Sequence, residues 1–360
     1  MIGSSTRRVL ETVAVGAVLA GCAGTPGRDA VHRLPASYNF AFYDTYPAAA
    51  RSFYAAHYAH FGVYETLLDF GADGEDTERA IKALRREVVA YVAHPPRFEP
   101  PAEIIAPDWS KMAWETGRAM DWTHMLHSQL YDILTDDRIA DRRAAGERAI
   151  AYYLSEPGSA FSTRGYGHRW MEGGGAWAGA FRERYPEMNG ILWAFHWHHA
   201  AIYEALMEDD PAERRRELDR VIGVFEDSVL VDPPTTMPLT AEIAPRFSRM
   251  LPAAAHIFDN LHMMHDVVND IMAEPTSSRV EKEREIARLL DAMLYAGQDS
   301  VVAPAMPMGH GHAMSPGSMR APTRLADGTW LPQGHPDARK ASMDELMAPL
   351  KAPRNRAGDR

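Results

Sequence analysis

One pattern occurs four times in this 360-residue chain: His-x-x-His with an acid five residues further on. The four are His57/His60/Glu65, His124/His127/Asp132, His196/His199/Glu204 and His262/His265/Asp270. Sixteen histidines and 49 acids placed at random would give about 0.1 such matches.

The matches belong to an internal repeat. Phe42-Tyr43-Asp44-Thr45-Tyr46-Pro47 aligns with Phe181-Arg182-Glu183-Arg184-Tyr185-Pro186, 139 residues on. At the same spacing His57, His60, Tyr64, Glu65 and Leu67 meet His196, His199, Tyr203, Glu204 and Leu206. Ala102-Glu103-Ile104 meets Ala241-Glu242-Ile243. After one deletion the spacing is 138, and Asp121, His124, His127 and Asp132 meet Asp259, His262, His265 and Asp270. The copies run over 40–156 and 179–300, with 157–178 as linker.

Apolar positions recur with helical period from Pro47 to Gly297, and no run alternates as a strand does. The expectation is an all-α chain of two tandem four-helix repeats, eight main helices in all. They form two units or one assembly with a pseudo-twofold axis. Helices are predicted over 48–70, 76–94, 109–135 and 138–155, and again over 187–208, 212–230, 247–273 and 277–297. The first and third of each copy carry the histidines; the second and fourth are charged, amphipathic covers.

The spacing suits a metal. At about 100° per residue, the second histidine lies about −60° and the acid about +80° from the first, all on one face. Two imidazoles at i and i+3 can share an ion. The acid lies roughly 7.5 Å beyond the second histidine, within reach of a second ion or of a bridge between two. Asp121 and Asp259 precede their histidine pairs by three residues and share that face. They can ligate, or orient a ring. Each copy therefore offers four histidines and three carboxylates: His57, His60, Glu65, Asp121, His124, His127 and Asp132, then His196, His199, Glu204, Asp259, His262, His265 and Asp270. The His-x(4)-Asp step resembles one element of hemerythrin-type di-iron proteins, over six residues. The Glu-x-x-His of ferritin-like proteins is missing at the paired positions.

Other residues fall around this set. Tyr64, Tyr131 and Tyr203 lie angularly between paired histidines, where the fourth occurrence of the pattern has Asn269. Glu103 and Glu242 precede the third helices and read as caps. His168, His198 and His256 have no counterpart in the other copy; they read as surface residues or as neighbours that orient a ligand. Trp114, Trp122, Trp193 and Trp197 read as core.

The two ends carry separate signals. Arg7 and Arg8 precede a short apolar run, Val13 to Ala20, too brief to span a membrane. Leu19-Ala20-Gly21-Cys22 then resembles the lipobox of bacterial lipoproteins. That resemblance implies cleavage of a signal peptide (1–22), a lipid on Cys22 and a membrane-anchored protein on the periplasmic or cell-surface side. Thr6-Arg7-Arg8 also resembles a twin-arginine export signal. Residues 23–39 read as a tether. The tail, 301–360, reads as a flexible Met/His/Pro-rich segment whose Met306, Met308, His310, His312, Met314 and Met319 are soft donors favouring copper.

Cys22 is the only cysteine, so no internal disulfide can form. The net charge is −11 with no basic cluster, which excludes a nucleic-acid partner. No nucleophile elbow and no phosphate loop is present. Three readings follow. The first is a protein that buffers, stores or delivers transition metal, with copper or iron ahead of zinc. The second is a dinuclear oxidoreductase acting on oxygen or peroxide. The third is a bundle without metal, its histidines serving pH-dependent pairing or, in a variant, non-covalent haem.

Overall fold

The computed structural model describes residues 33–95, 102–168, 171 and 177–296. These form helices and no strand, apart from one isolated bridge between Phe161 and Leu294. The first half carries α1 (Ala41–Thr45), α2 (Pro47–Phe70), α3 (Glu75–Ala93), α4 (Ala102–Ile105), α5 (Pro107–Met112), α6 (Trp114–Thr135) and α7 (Arg142–Leu154). The second carries α8 (Ala180–Arg184), α9 (Pro186–Leu206), α10 (Pro211–Val224), α11 (Thr240–Ile243), α12 (Pro245–Met250), α13 (Pro252–Met272) and α14 (Arg279–Met293). A π-helical turn, Phe225–Val229, continues α10.

Proline sets many of these boundaries. α2, α5, α9, α10, α12 and α13 all have it in their first turn, where its missing N–H costs nothing. The residue before proline is pushed out of the helical region. Leu251 accordingly sits at φ −132°, ψ 68°, and splits the predicted third helix of the second half into α12 and α13. Ala113 takes similar angles, φ −128° and ψ 49°, and splits its counterpart into α5 and α6 although Trp114 follows it.

α2, α6, α9 and α13 are the inner layer. Every residue of α9 from Met188 to Leu206 is buried, as is every residue of α13 from Ile257 to Met272 and of α6 from Trp122 to Thr135. α2 packs on α9 and α13, and α6 packs on the same two, so each inner helix of one half lies between the inner helices of the other. The remaining long helices cover this layer: α3 packs on α2, α7 on α6, α10 on α9 and α14 on α13. α3 shows why they do. Thr77, Ile81, Leu84, Val88 and Val92 fall three or four residues apart on a buried stripe, and its charges face water. Fully buried Arg214 of α10 ties the halves together, bonding the Asp137 carboxylate at 2.9 Å and the Thr135 carbonyl at 3.2 Å.

No described helix is long and apolar enough to cross a membrane. Residues 33–39, within the segment read as a tether, lie against α6: Arg33 pairs with Asp132, and Gln129 Nε2 donates to the Leu34 carbonyl at 2.8 Å. The signal segment with Cys22, residues 23–32 and the Met/His tail lie outside the described residues.

Candidate metal centre

Each inner helix carries its histidine pair in mid-span, where neighbouring helices cover it. All eight rings are buried, none more than 5% exposed. They form one continuous cluster. From His57 the ring centroids run 4.7 Å to His124, 5.4 Å to His265, 4.2 Å to His60, 5.1 Å to His196 and 4.0 Å to His262. His262 adjoins His127 at 6.0 Å and His199 at 5.8 Å, and those two are 5.5 Å apart.

Within the cluster, two groups of three imidazoles each place a ring nitrogen within 4.8 Å of the others: His60, His196 and His265, and His127, His199 and His262. Ligands at about 2.0–2.1 Å from a tetrahedral ion lie roughly 3.4 Å apart, so small side-chain rotations would close either group on a metal. Neither group can be made by one half alone, because His60 and His127 come from the first half and the other four from the second. A third group, His57, Asp121 and His124, comes wholly from the first half, with His57 Nε2 3.0 Å from Asp121 Oδ1.

The rings are short of partners. Among the described residues, neither nitrogen of His199, His262 or His265 has a hydrogen-bond partner, nor has His124 Nδ1, His127 Nε2 or His196 Nδ1. A buried polar atom left unpaired costs about 1–3 kcal/mol, which a ligated ion would offset. Burial also decides their charge. It lowers His60 to about 4 and His262 to about 3, and takes His124, His127, His196, His199 and His265 well below the ordinary range, with neighbouring imidazoles adding to it. These rings are therefore neutral at physiological pH and present the lone pairs a metal needs.

The acids five residues beyond each pair join none of the histidine groups. Glu65 accepts from the N–H groups of Asp108 and Trp109, at 3.1 and 2.9 Å, at the start of α5. Glu204 does the same for α12, accepting from Arg246 N at 3.0 Å and Arg246 Nε at 2.6 Å. Asp132 accepts from Phe40 N and Phe42 N, and Asp270 from Gly179 N and Phe181 N, all at 2.9–3.0 Å. Each carboxylate holds the turn that begins a short helix, where unpaired amides favour an anion. Asp259 is likewise occupied, accepting from Thr240 N and Oγ1 at 2.7 Å, and burial pushes it up to about 7. Of the acids singled out by the repeat, only Asp121 stands beside a histidine ring.

No protein-family model, curated protein or solved structure matches this chain.

The tyrosines hold the inner helices in register. Tyr64 donates to the His265 carbonyl at 3.2 Å, Tyr131 to that of His199 at 2.8 Å and Tyr203 to that of His127 at 3.1 Å. Tyr203 Oη also lies 2.9 Å from His127 Nδ1 and orients that ring. Buried Asn269, in the fourth position, has no side-chain hydrogen bond among the described residues. Glu242 accepts from Leu239 N at 3.3 Å, at the head of α11 and not of the histidine helix. His198 is fully buried, not at the surface; it bonds Ser52 Oγ at 2.8 Å and stacks on Phe225. His168 and His256 bond the carbonyls of Met237 and Thr163, away from the cluster. Asp266 was not singled out by the repeat, because its counterpart is Ser128; it is buried beneath Trp193, whose Nε1–H donates to it at 2.7 Å.

Proposed function

We propose that this protein binds transition-metal ions in its histidine core and serves as a carrier or store of metal. The observation that carries this reading is the gathering of eight buried imidazoles into one continuous cluster, six of them with ring nitrogens that have no other partner among the described residues. Such groups are too costly to bury unless something ligates them. Imidazole sets suit copper, iron and zinc. The Met/His tail supports copper among these.

The repeat supports two equivalent sites about a pseudo-twofold axis. Under the alignment, His127, His199 and His262 correspond to His265, His60 and His124, whose rings also adjoin, at 4.2 and 5.4 Å from His265. Each site would draw two histidines from its own half and one from the other. The lipobox at Cys22 supports an exported protein anchored by lipid, facing the periplasm or the outside of the cell.

Metal-free protein should be titrated with copper(I), iron(II) and zinc(II) in turn, then passed through gel filtration and analysed for metal. At least one ion per chain should remain, and His196→Gln with His265→Gln should lower that number. Folded protein that retains none of the three overturns the proposal. Replacing Cys22 by Ser should release the protein from membranes; unchanged fractionation removes the anchor.

A second reading, redox chemistry at two neighbouring ions, is favoured by the 4.0 Å separation of the His196 and His262 rings, one from each buried group. Magnetic coupling between bound ions would support it. Bridging by the acids five residues beyond each pair does not enter, since they hold helix starts.

A further inference from the structure

Eight imidazoles inside a bundle pose a transport problem. A bare cation cannot cross the apolar wall, because losing its water without new ligands costs tens of kcal/mol. It can move only by exchanging one ligand for the next. The cluster provides such a route, with consecutive ring centroids 4.0–5.4 Å apart from His57 to His262.

The route has one distinctive end. Of the three histidine groups, two are wholly buried, and only His57, Asp121 and His124 includes a residue open to water. The Asp121 side chain is 21% exposed, while that of His57 beside it is 3% exposed. The repeat has no second such end. Asp259, the counterpart of Asp121, is bound to Thr240 and buried. The copies do share the next ring, His57 facing His124 at 4.7 Å and their counterparts His196 and His262 adjoining at 4.0 Å, but His196 also stacks on His60 at 5.1 Å and no solvent-facing acid adjoins it in its group. A duplicated chain has thus kept a solvent-facing carboxylate in one copy and spent it on a helix start in the other.

We propose that Asp121, His57 and His124 form the loading port of the core, where a hydrated cation is first captured and then passed inward to His265 and His60. Asp121 supplies a negative charge at the surface, and the two imidazoles replace the water the ion leaves behind. The net charge of −11 favours the approach of cations generally. Asp121 touches the ion only in transit and is not one of its final ligands. No electron is transferred, and the step only exchanges metal–water bonds for bonds to these side chains.

This inference rests on the metal-binding reading, and one experiment separates the two. Metal-free full-length protein is mixed with cobalt(II) in a stopped-flow instrument, and uptake is followed by the visible absorption of imidazole-bound cobalt. Wild type should load. Asp121→Asn should load at least tenfold more slowly yet reach the same final cobalt content. Asp121→Ser should be as slow, Asp121→Glu should recover at least half of the wild-type rate, and Asp259→Asn should load at the wild-type rate. Wild type that takes up no cobalt overturns the metal reading, and the port with it. Wild type that loads while Asp121→Asn and Asp121→Ser keep pace within twofold overturns the port alone. So does a variant that loads at full rate but ends one ion short, since Asp121 would then be a terminal ligand.

Discussion

The Nε2 atoms of His60 and His196 stand 3.0 Å apart on rings within 1° of parallel, although 136 residues separate them in the chain. The other nitrogen of His60 lies 2.9 Å from the Ala56 carbonyl, so it must carry the proton and donate. A neutral imidazole has one N–H and one lone pair. His60 therefore accepts at Nε2, and His196 donates from its own Nε2. Nitrogen-15 spectra of the metal-free protein at pH 7 should show His60 as the Nδ1–H tautomer and His196 as the Nε2–H tautomer. Metal should end the hydrogen bond between the two rings while leaving His60 protonated at Nδ1, and an imidazolium signal from either ring would contradict the assignment.

Acid should destabilise the metal-free protein well before its surface carboxylates titrate. Burial holds His60 at about 4 and His198 and His262 at about 3, and lowers five more histidines of the core. In an unfolded chain these groups titrate near 6.5. Between the two values the unfolded state binds more protons, so stability is fully present above about pH 6.5 and is lost as pH falls toward the folded values. Buried acids act in the opposite sense. Asp259 at about 7, and Asp132 and Asp270 at about 6, hold protons in the folded state that the unfolded chain releases. The histidines outnumber them. Urea denaturation should show a net loss of at least about 3 kcal/mol between pH 7 and pH 5. A level profile over that range would mean the rings are hydrated.

The carboxylates five residues beyond the histidine pairs should matter for folding and not for metal. Glu204→Gln removes a charge that holds Arg246 N, Arg246 Nε and Phe247 N, and should cost about 2 kcal/mol. Glu65→Gln loses two backbone partners in a more exposed place and should cost about 1 kcal/mol. Both variants should retain wild-type metal content by elemental analysis. A lost ion in either would make the acid a ligand.

Tyr64 and Tyr203 permit a paired test. Both hydroxyls bond a histidine carbonyl, but only Tyr203 also bonds a histidine ring. Tyr64→Phe and Tyr203→Phe should each cost about 1 kcal/mol in denaturant melts. Only Tyr203→Phe should weaken metal binding as well, by roughly tenfold, because His127 then loses the group that sets its orientation. Equal affinities in the two variants would show that His127 needs no such support.

Angular position puts Glu65, Asp132, Glu204 and Asp270 on the histidine face, and a helical projection contains nothing to separate them from ligands. Axial distance separates them. Each lies about 7.5 Å beyond its histidine pair, and at that height the bundle ends and a short helix begins. The carboxylate meets unpaired amides there before it meets a metal. The break at Ala113 was equally hidden, since neither proline nor glycine marks it, whereas Pro252 marks the one at Leu251.

By itself the sequence determined what is periodic and local. Proline placed six helix starts, a 3.6-residue rhythm assigned the inward faces, and the repeat singled out eight histidines as one set. Only the tertiary structure decided which rings share a site, because α2 and α6 lie between α9 and α13 rather than in a bundle of their own, and each buried group therefore mixes residues from both halves. It also decided that Asp121 meets a histidine while Asp259 meets Thr240. Those outcomes depend on which helix ends come together across the bundle, and contacts between distant segments leave no trace in the spacing of residues along either one.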